Sequence, residues 1–236
     1  MSFSRAKLTL TMFIKKARWI MAGRPDTWSG TVHDSSYWTE RYRSGGNSGS
    51  GSAGRNLAFK ANFVRDFLVK HQLREVLDIG CGNGGIIPSL PEINYHGIDF
   101  AKPAIDYCQA KWGETGSRKF THVTEVQGNS ASAEVVLVLE VLMHITDDKD
   151  YERFLRACLS MAEKFVVLQT PLKADLGKRQ KPAPHERYRD IFLSLIPHYG
   201  DFEVFQIQLA PGMSIADREA GIVGSLASDF VVLRRK

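Results

Sequence analysis

Four glycines fall within the segment DIGCGNGG, residues 78–85, directly after a short apolar run. Glycine lets the backbone turn tightly and approach a ligand closely, and the amide groups that follow can then face that ligand. Gly80, Gly82 and Gly85 fit the spacing G-x-G-x-x-G, which by itself is a weak signal for a nucleotide-containing cofactor. A glycine turn that merely connects a strand to a helix is the alternative interpretation.

Two carboxylates strengthen the interpretation of the glycine turn as a cofactor-binding site. Asp78 lies two residues before the first glycine, where it could meet a cationic group of a ligand, and Asp99 follows Gly80 by 19 residues. An acid at this later position is placed to accept hydrogen bonds from ribose hydroxyls. A dinucleotide would bring a pyrophosphate next to Asp78, which is electrostatically unfavourable, whereas S-adenosylmethionine brings a cationic amine. The residues therefore favour S-adenosylmethionine over a nicotinamide cofactor.

Two histidines are candidate catalytic bases. His144 follows Glu140 by four residues, at the end of an apolar run, and could take a proton from an oxygen or nitrogen acceptor. A histidine that binds nearby backbone groups would explain it as well. His185 precedes Arg187 and Arg189 in HERYR, where the guanidinium groups could bind a phosphate or carboxylate of the acceptor. The alternative there is a solvated first turn of a helix.

Aromatic side chains precede the glycine turn in YWTERY. Tyr37, Trp38 and Tyr42 are candidates to line an acceptor pocket, although packing of an N-terminal helix would account for them equally well. The three cysteines are scattered and odd in number, and they show neither a disulfide framework nor the spacing of metal ligands. The sequence therefore predicts no metal site and a reducing, cytoplasmic location.

The elements that would position these residues alternate along the chain. Alternating or continuous apolar runs predict seven strands, and amphipathic spacing predicts four helices. The strands are expected at the start of 75–85 and within 95–99, 120–126, 134–142, 164–171, 202–209 and 229–236. The helices are expected over 56–72, 102–112, 147–163 and 185–200.

The last two predicted strands follow each other without a clear helix between them. This order predicts an α/β fold, a doubly wound, mostly parallel, seven-stranded Rossmann-like sheet with an antiparallel C-terminal strand pair. One domain is expected over residues 37–236, preceded by a basic leader or helix over residues 1–36. No apolar run approaches the roughly 20 residues that a membrane-spanning helix needs.

The formal charge of +5 comes from the leader. Residues 1–25 hold six basic residues and no acidic one, and the rest of the chain holds 25 basic and 26 acidic residues. A nucleic-acid partner is therefore an alternative that the charge distribution does not favour. The leader has three interpretations: a packed N-terminal helix, a basic amphipathic segment in weak contact with an acidic membrane surface, or an upstream extension.

Residues 44–54, SGGNSGSGSAG, have the composition of a flexible linker. Nothing before residue 44 looks large enough to be a separate domain, and the flanking segments are rich in aromatic and basic groups. Serine hydroxyls and backbone amides between cations can bind an anion or a polyol. We therefore predict a lid that closes over bound cofactor and excludes water, with a slack loop as the alternative.

The sequence resembles the class I S-adenosylmethionine-dependent methyltransferases over roughly residues 37–236. The likeness rests on VLDIGCGNG, GIDF and LVLEVLMHITDDKDYERFL. It implies that the first motif binds the methionine moiety, that the acid ending the second strand binds the ribose, and that the end of the fourth strand faces the methyl group. Carried onto this chain, the resemblance implies cofactor contacts from Asp78, Gly80, Cys81, Gly82, Gly84, Asp99, Phe100 and Glu140.

The chain also resembles a narrower bacterial branch of methyltransferases, through YWTERYRSGGNSGSGSAG and the later APHERYR. That branch more often has an acid and a polar residue where this chain reads NGGII, and Pro88 and Pro91 shorten the helix after the turn. Where the family often has an acid near the adenine, this chain reads QGNSASAE, which leaves Asn129 as the substitute.

We therefore expect a cytoplasmic enzyme that methylates a polar small-molecule or glycan-linked acceptor, at oxygen in preference to nitrogen. No Asn-Pro-Pro-aromatic motif follows the fourth predicted strand, so a base amine is not the favoured acceptor. Cys81 lies in the glycine turn, which argues against its use as a nucleophile on pyrimidine C5. The alternatives are a nucleic-acid methyltransferase, a non-catalytic S-adenosylmethionine-binding protein and an NAD-dependent oxidoreductase.

Overall fold

The computed structural model describes residues 35–126, 131–172, 187–210 and 228–236. Over these residues the chain forms a seven-stranded sheet with helices packed on both faces. The strands are β1 (Glu75–Ile79), β2 (Asn94–Asp99), β3 (Arg118–His122), β4 (Ala133–Leu139), β5 (Ala162–Thr170), β6 (Phe202–Gln208) and β7 (Asp229–Arg235). The helices are α1 (Ser35–Arg43), α2 (Gly54–Lys70), α3 (Lys102–Trp112), α4 (Asp148–Met161) and α5 (Ile191–Leu195).

The strand order in the sheet is β3-β2-β1-β4-β5-β7-β6. Strands β1 to β5 pair in parallel, and β7 pairs antiparallel with both β5 and β6. The winding direction changes between β1 and β4, and ligands of doubly wound sheets bind beyond the carboxyl ends of the strands at such a point. The predicted fold class is confirmed, including the antiparallel end of the sheet.

Strand β4 is buried on both faces because helices cover the sheet on either side. Val135, Val136, Leu137 and Val138 are all 0% exposed, as expected for a continuous apolar run inside a parallel sheet. Helices α2 and α3 pack on one face, and α4 packs on the other. Full burial of a valine or leucine side chain contributes about 1.5–3 kcal/mol. The carboxyl end of β4 is therefore anchored by the core beneath it.

Helix α4 begins directly after the turn that follows β4. The side chain of Asp147 accepts hydrogen bonds from the backbone N–H groups of Lys149 and Asp150 at 2.9 and 3.0 Å, and this caps the first turn of the helix. Phe154, Leu155 and Cys158 then face the sheet. Among the described helices, none is both long enough and apolar enough to cross a membrane.

Two predicted elements differ from the structure. The strand predicted over 120–126 begins earlier and ends at His122, because the ring of His122 caps a short 3-10 turn over Val123–Glu125. The helix predicted over 185–200 is reduced to α5 and a 3-10 turn over Ile196–His198. The backbone N–H of Arg187 is instead bonded to the carbonyl of Met143 at 2.7 Å, and Asp190 caps α5. Residues 185 and 186 lie outside the described residues.

Candidate functional site

The glycine turn after β1 depends on backbone conformations that other residues rarely adopt. Gly80 and Gly82 have φ angles of +82° and +55°. A Cβ on Gly80 would lie 2.4 Å from the side chain of Val141, and one on Gly82 would lie 2.5 Å from Ser48 Oγ. The backbone N–H groups of Gly80 and Cys81 both donate to the carbonyl of Ile98. The turn is thus held against the end of β2, and only glycine fits it.

Asp99 ends β2 and fixes the same turn from the other side. Its Oδ2 accepts a hydrogen bond of 2.8 Å from the Gly82 N–H, and its Oδ1 accepts one of 2.8 Å from the Ala101 N–H. Burial raises the pKa of Asp99, and these backbone N–H groups act in the opposite direction. A carboxylate has about four acceptor positions. Two hydrogen bonds therefore leave acceptor capacity for a ligand hydroxyl.

Asp78 lies in β1 and is 4% exposed. The hydroxyl of Tyr95 donates to its Oδ2 at 2.7 Å. Burial raises the pKa of Asp78 to about 6, although the Tyr95 hydrogen bond and the nearby Lys60 ammonium act to lower it. The carboxyl group is thus mainly ionised at neutral pH and sits in a largely desolvated position, where a cationic ligand group would be strongly attracted.

Glu140 follows β4 with a φ angle of +63°, in the left-handed region that is unfavourable for residues with a side chain. Its backbone N–H donates to the carbonyl of Gln169 on β5 at 2.9 Å, which helps to hold this conformation. A Cβ on Gly51 would lie 3.0 Å from Glu140 Oε2. The strained residue therefore directs its carboxylate into the space below the glycine- and serine-rich loop, and strain of this kind is concentrated at functional sites.

The glycine- and serine-rich loop lies on the glycine turn. Ser48 Oγ donates to Asn83 Oδ1 at 3.0 Å and accepts the Asn83 N–H at 3.3 Å. The hydroxyl of Tyr42 lies 2.8 Å from Ser48 Oγ, and burial raises the pKa of Tyr42, so this phenol stays protonated. These contacts join α1, the loop and the turn. The predicted lid role of residues 44–54 stays a prediction.

Together these elements enclose one cleft at the carboxyl ends of β1, β2 and β4. Nine of its lining residues are candidates from the sequence: Trp38, Tyr42, Asp78, Gly80, Cys81, Asp99, Phe100, Glu140 and His144. Gly82 and Gly84 belong to the same turn, both with positive φ. The remaining lining residues include Ser48, Ser52, Leu57, Lys60 and Asn83.

Lys60 is a charged lining residue that was not predicted from the sequence. It lies on α2 and is 3% exposed, and its Nζ donates to Ser52 Oγ at 2.8 Å. The signal was present in the sequence, because Lys60 precedes Val64 by four residues and so lies on the apolar face of the predicted helix. A lysine on such a face usually extends its ammonium group to solvent, and this one does not.

His144 ends a 3-10 turn over Leu142–His144 just past β4. Its ring meets the ring of Trp38 edge to face, with centroids 5.1 Å apart, and both side chains line the cleft. The contact between α1 and the turn after β4 orients the imidazole. The histidine and the three carboxylates therefore share one enclosed space, which is the arrangement expected of a base next to a bound ligand.

The two candidate acceptor arginines bind the turn after β4. Arg189 donates to the carbonyls of Ile145 and Thr146 at 2.7 and 2.9 Å and pairs with Asp148 at 3.0 Å. Arg187 pairs with Asp148 at 2.8 Å. Neither arginine is among the described residues that line the cleft. Their role in binding an acceptor stays a prediction, and these contacts support the position of the turn.

Three further candidates lie outside the cleft or outside the described residues. Tyr37 is 39% exposed, and its hydroxyl accepts a hydrogen bond from Arg41 at 3.2 Å. His185 and Asn129 lie outside the described part of the chain.

The comparisons with known proteins agree with this geometry. Residues 77–163, from β1 to the start of β5, match a family model described as a methyltransferase domain. No curated protein sequence matches the chain.

Several solved structures share the fold. The N-methyltransferase NodS from Bradyrhizobium japonicum WM9, in complex with S-adenosyl-L-homocysteine, is 14% identical with a TM-score of 0.63, over 86% of this chain and 98% of that one. Magnesium protoporphyrin IX methyltransferase (ChlM) from Synechocystis PCC 6803 with bound SAH is 15% identical with a TM-score of 0.59, over 86% and 97%. The small RNA methyltransferase HEN1 is 17% identical with a TM-score of 0.55, over 76% and 25%. These three structures are a methyltransferase of magnesium protoporphyrin IX, one of small RNA and an N-methyltransferase, and all three share the fold of this chain.

Proposed function

We propose that this chain, a class I S-adenosylmethionine-dependent methyltransferase, moves a methyl group to an oxygen atom of a polar small-molecule or glycan-linked acceptor. The observation that carries the proposal is the single cleft in which the ring of His144 faces the same space as Asp78, Asp99 and Glu140. This places a candidate base beside the groups suited to hold the cofactor.

Different residues of the cleft suit the ribose, the base and the methionine moiety of the cofactor. Asp99 has acceptor capacity left for a ribose diol, because its carboxylate receives two backbone hydrogen bonds. Phe100 follows it and lines the cleft, where its ring offers an apolar surface to a base. Asp78 and Glu140 supply negative charge near the glycine turn, which suits an amine and a sulfonium.

Methyl transfer depends mainly on the positioning of the acceptor, since bound S-adenosylmethionine supplies an activated methyl group on a sulfonium sulfur. The core beneath β1 and β4 fixes the ends of these strands. Two reactants bound in a fixed orientation react faster, because their translational and rotational entropy has already been lost on binding. Tyr42 and Ser48 connect α1 to the glycine turn through the hydrogen bond of Ser48 to Asn83. His144, oriented by Trp38, would take the proton that the acceptor hydroxyl loses.

An oxygen acceptor is favoured because a base lies in the cleft. A hydroxyl group is a poor nucleophile unless its proton is removed during the displacement, whereas an amine can react through its lone pair once neutral. The residues that follow β4 read EVLM, without the Asn-Pro-Pro-aromatic motif that would bind a base amine. We further propose that residues 44–54 act as the lid, because Ser48 is bonded to Asn83 in the turn.

The proposal is tested by incubating the full chain with S-adenosylmethionine and three sets of acceptors: sugars with and without phosphate, primary amines, and RNA oligonucleotides. Release of S-adenosylhomocysteine is measured for each set, with the His144→Gln variant as the matched control. We expect turnover with a hydroxylated set and its loss in the variant. Methylation of RNA alone, or tight cofactor binding without turnover on any set, would contradict the proposal.

A further inference from the structure

The ammonium group of Lys60 occupies an unusual position for a lysine. The side chain is 3% exposed, whereas Lys70 at the end of the same helix is exposed. Withdrawing an ammonium ion from water costs several kcal/mol unless partners replace the hydration. The hydrogen bond to Ser52 Oγ at 2.8 Å supplies a neutral partner, which does not balance the charge.

The charges around Lys60 belong to the cleft. Burial lowers the pKa of Lys60, while the carboxylates of Glu140 and Asp78 act to raise it. Both carboxylates line the same cleft as the lysine. One buried cation thus stands beside two anions at the end where β1 and β4 terminate.

The charges of Lys60, Asp78 and Glu140 are complementary to those of an amino acid that carries a second positive group in addition to its ammonium. The methionine moiety of S-adenosylmethionine has an ammonium, a sulfonium and a carboxylate. The carboxylates of Asp78 and Glu140 match the two cationic centres, while Asp99 is left for the ribose. Lys60, which is the single lysine or arginine among the described lining residues, matches the carboxylate. Charge-assisted hydrogen bonds of this type are about twice as strong as neutral ones.

We propose that Lys60 binds the carboxylate of the methionine moiety, while Asp78 and Glu140 face its cationic groups. The inference rests on the proposed function, because it concerns the same cleft and cofactor. Ser52, in the glycine- and serine-rich loop, accepts a hydrogen bond from the ammonium group of Lys60. The loop and the proposed carboxylate site are therefore connected through one side chain.

The test compares two nucleotides by calorimetry: S-adenosylmethionine and decarboxylated S-adenosylmethionine, which lacks only the carboxylate. The native chain should prefer the first by about 10- to 100-fold, the value of a charged hydrogen bond. Lys60→Met, which keeps a long unbranched side chain without charge, should lose this preference and should bind the decarboxylated nucleotide at least as tightly as the native chain. Lys60→Arg should restore part of the preference, and Lys70→Met should leave it unchanged.

The outcomes separate this inference from the proposed function. A preference that persists in Lys60→Met, or equal weakening of both nucleotides, would show that the lysine only joins α2 to the loop. Thermal unfolding of each variant shows whether the fold is kept. If the native chain binds neither nucleotide, both the lysine assignment and the proposed function are wrong.

Discussion

Asp99 Oδ2 accepts a hydrogen bond of 2.8 Å from the backbone N–H of Gly82. One carboxylate thereby holds the glycine turn and also presents its remaining acceptor positions to the cleft. The organisation of the turn and the proposed binding of a ribose diol therefore depend on a single side chain at the end of β2.

We expect Asp99→Ala to weaken cofactor binding by about 100-fold, because it removes at least two charged hydrogen bonds. His144→Ala should change the dissociation constant by less than about threefold, since we propose that the imidazole acts on the acceptor and not on the cofactor. Calorimetry with S-adenosylhomocysteine measures both. The reverse ranking would overturn the assignment of the site.

The contact between Ser48 and the glycine turn allows a steric test of the loop. Gly82→Ala would bring a Cβ to 2.5 Å from Ser48 Oγ at a φ angle of +55°, so the loop must move and the backbone is strained by about 1–2 kcal/mol. We expect at least tenfold weaker cofactor binding and faster proteolysis within residues 44–54. The matched control is Gly116→Ala, where a Cβ would meet nothing within 4 Å. Equal effects of the two variants would count against the loop contact.

The two aspartates of the site were predictable, because their spacing from the glycine turn points to a cofactor that carries an amine and a ribose. Asp78 and Asp99 were found in this way, and Glu140 was found through the resemblance to class I methyltransferases. Lys60 was missed, because a lysine in a predicted helix is normally taken as solvated and its burial depends on which loop covers it. The helix expected over 185–200 was mostly wrong for a similar reason: the N–H of Arg187 bonds to Met143, a partner distant in sequence that helical periodicity does not reveal.

Arg189 should contribute mainly to stability. Its side chain is 12% exposed, donates to the carbonyls of Ile145 and Thr146, and lies 4.3 Å over the ring of Tyr151. Arg189→Ala leaves both carbonyls without this donor, and we expect the free energy of unfolding to fall by about 2–3 kcal/mol. Denaturant titration measures it.

Arg65→Ala, which removes an exposed pair with Asp66, is the control and should cost less than about 1 kcal/mol. Arg189→Lys should not restore stability, because a lysine cannot reproduce the planar arrangement of donors. A variant of unchanged stability with a raised KM for the acceptor would instead support the predicted role of Arg189 in acceptor binding.

Cofactor binding should depend on pH through Asp78. Burial raises the pKa of this carboxyl to about 6 in the chain without ligand, with Tyr95, Lys60 and Asp99 as its neighbours. The ligand ammonium pairs with the ionised form, so binding must release the proton below this pKa. The affinity should be nearly constant above pH 7 and should fall about tenfold between pH 7 and pH 5.

The titration of Asp78 affects stability in the opposite direction to cofactor affinity. The folded chain without ligand holds this proton more tightly than the unfolded chain, so the contribution of Asp78 to the free energy of unfolding decreases as pH rises from about 4 to 6. Asp78→Asn should lower the affinity at pH 7.5 and remove the inflection near pH 6, whereas His144→Gln should keep it. An unchanged inflection in Asp78→Asn would assign the titration to another group.

His144 should act on turnover and leave cofactor binding nearly unchanged. The ring lies in the cleft with its edge against Trp38, 5.1 Å between centroids, and a positioned base contributes about 10²- to 10⁴-fold to a proton transfer. We expect His144→Gln to lower kcat by at least 100-fold on a hydroxylated acceptor, measured as release of S-adenosylhomocysteine. Trp38→Leu, which removes the ring that orients the imidazole, should lower kcat by a smaller factor and leave the dissociation constant of the cofactor unchanged. A His144→Gln enzyme with full turnover on a hydroxyl acceptor would show that another group takes the proton.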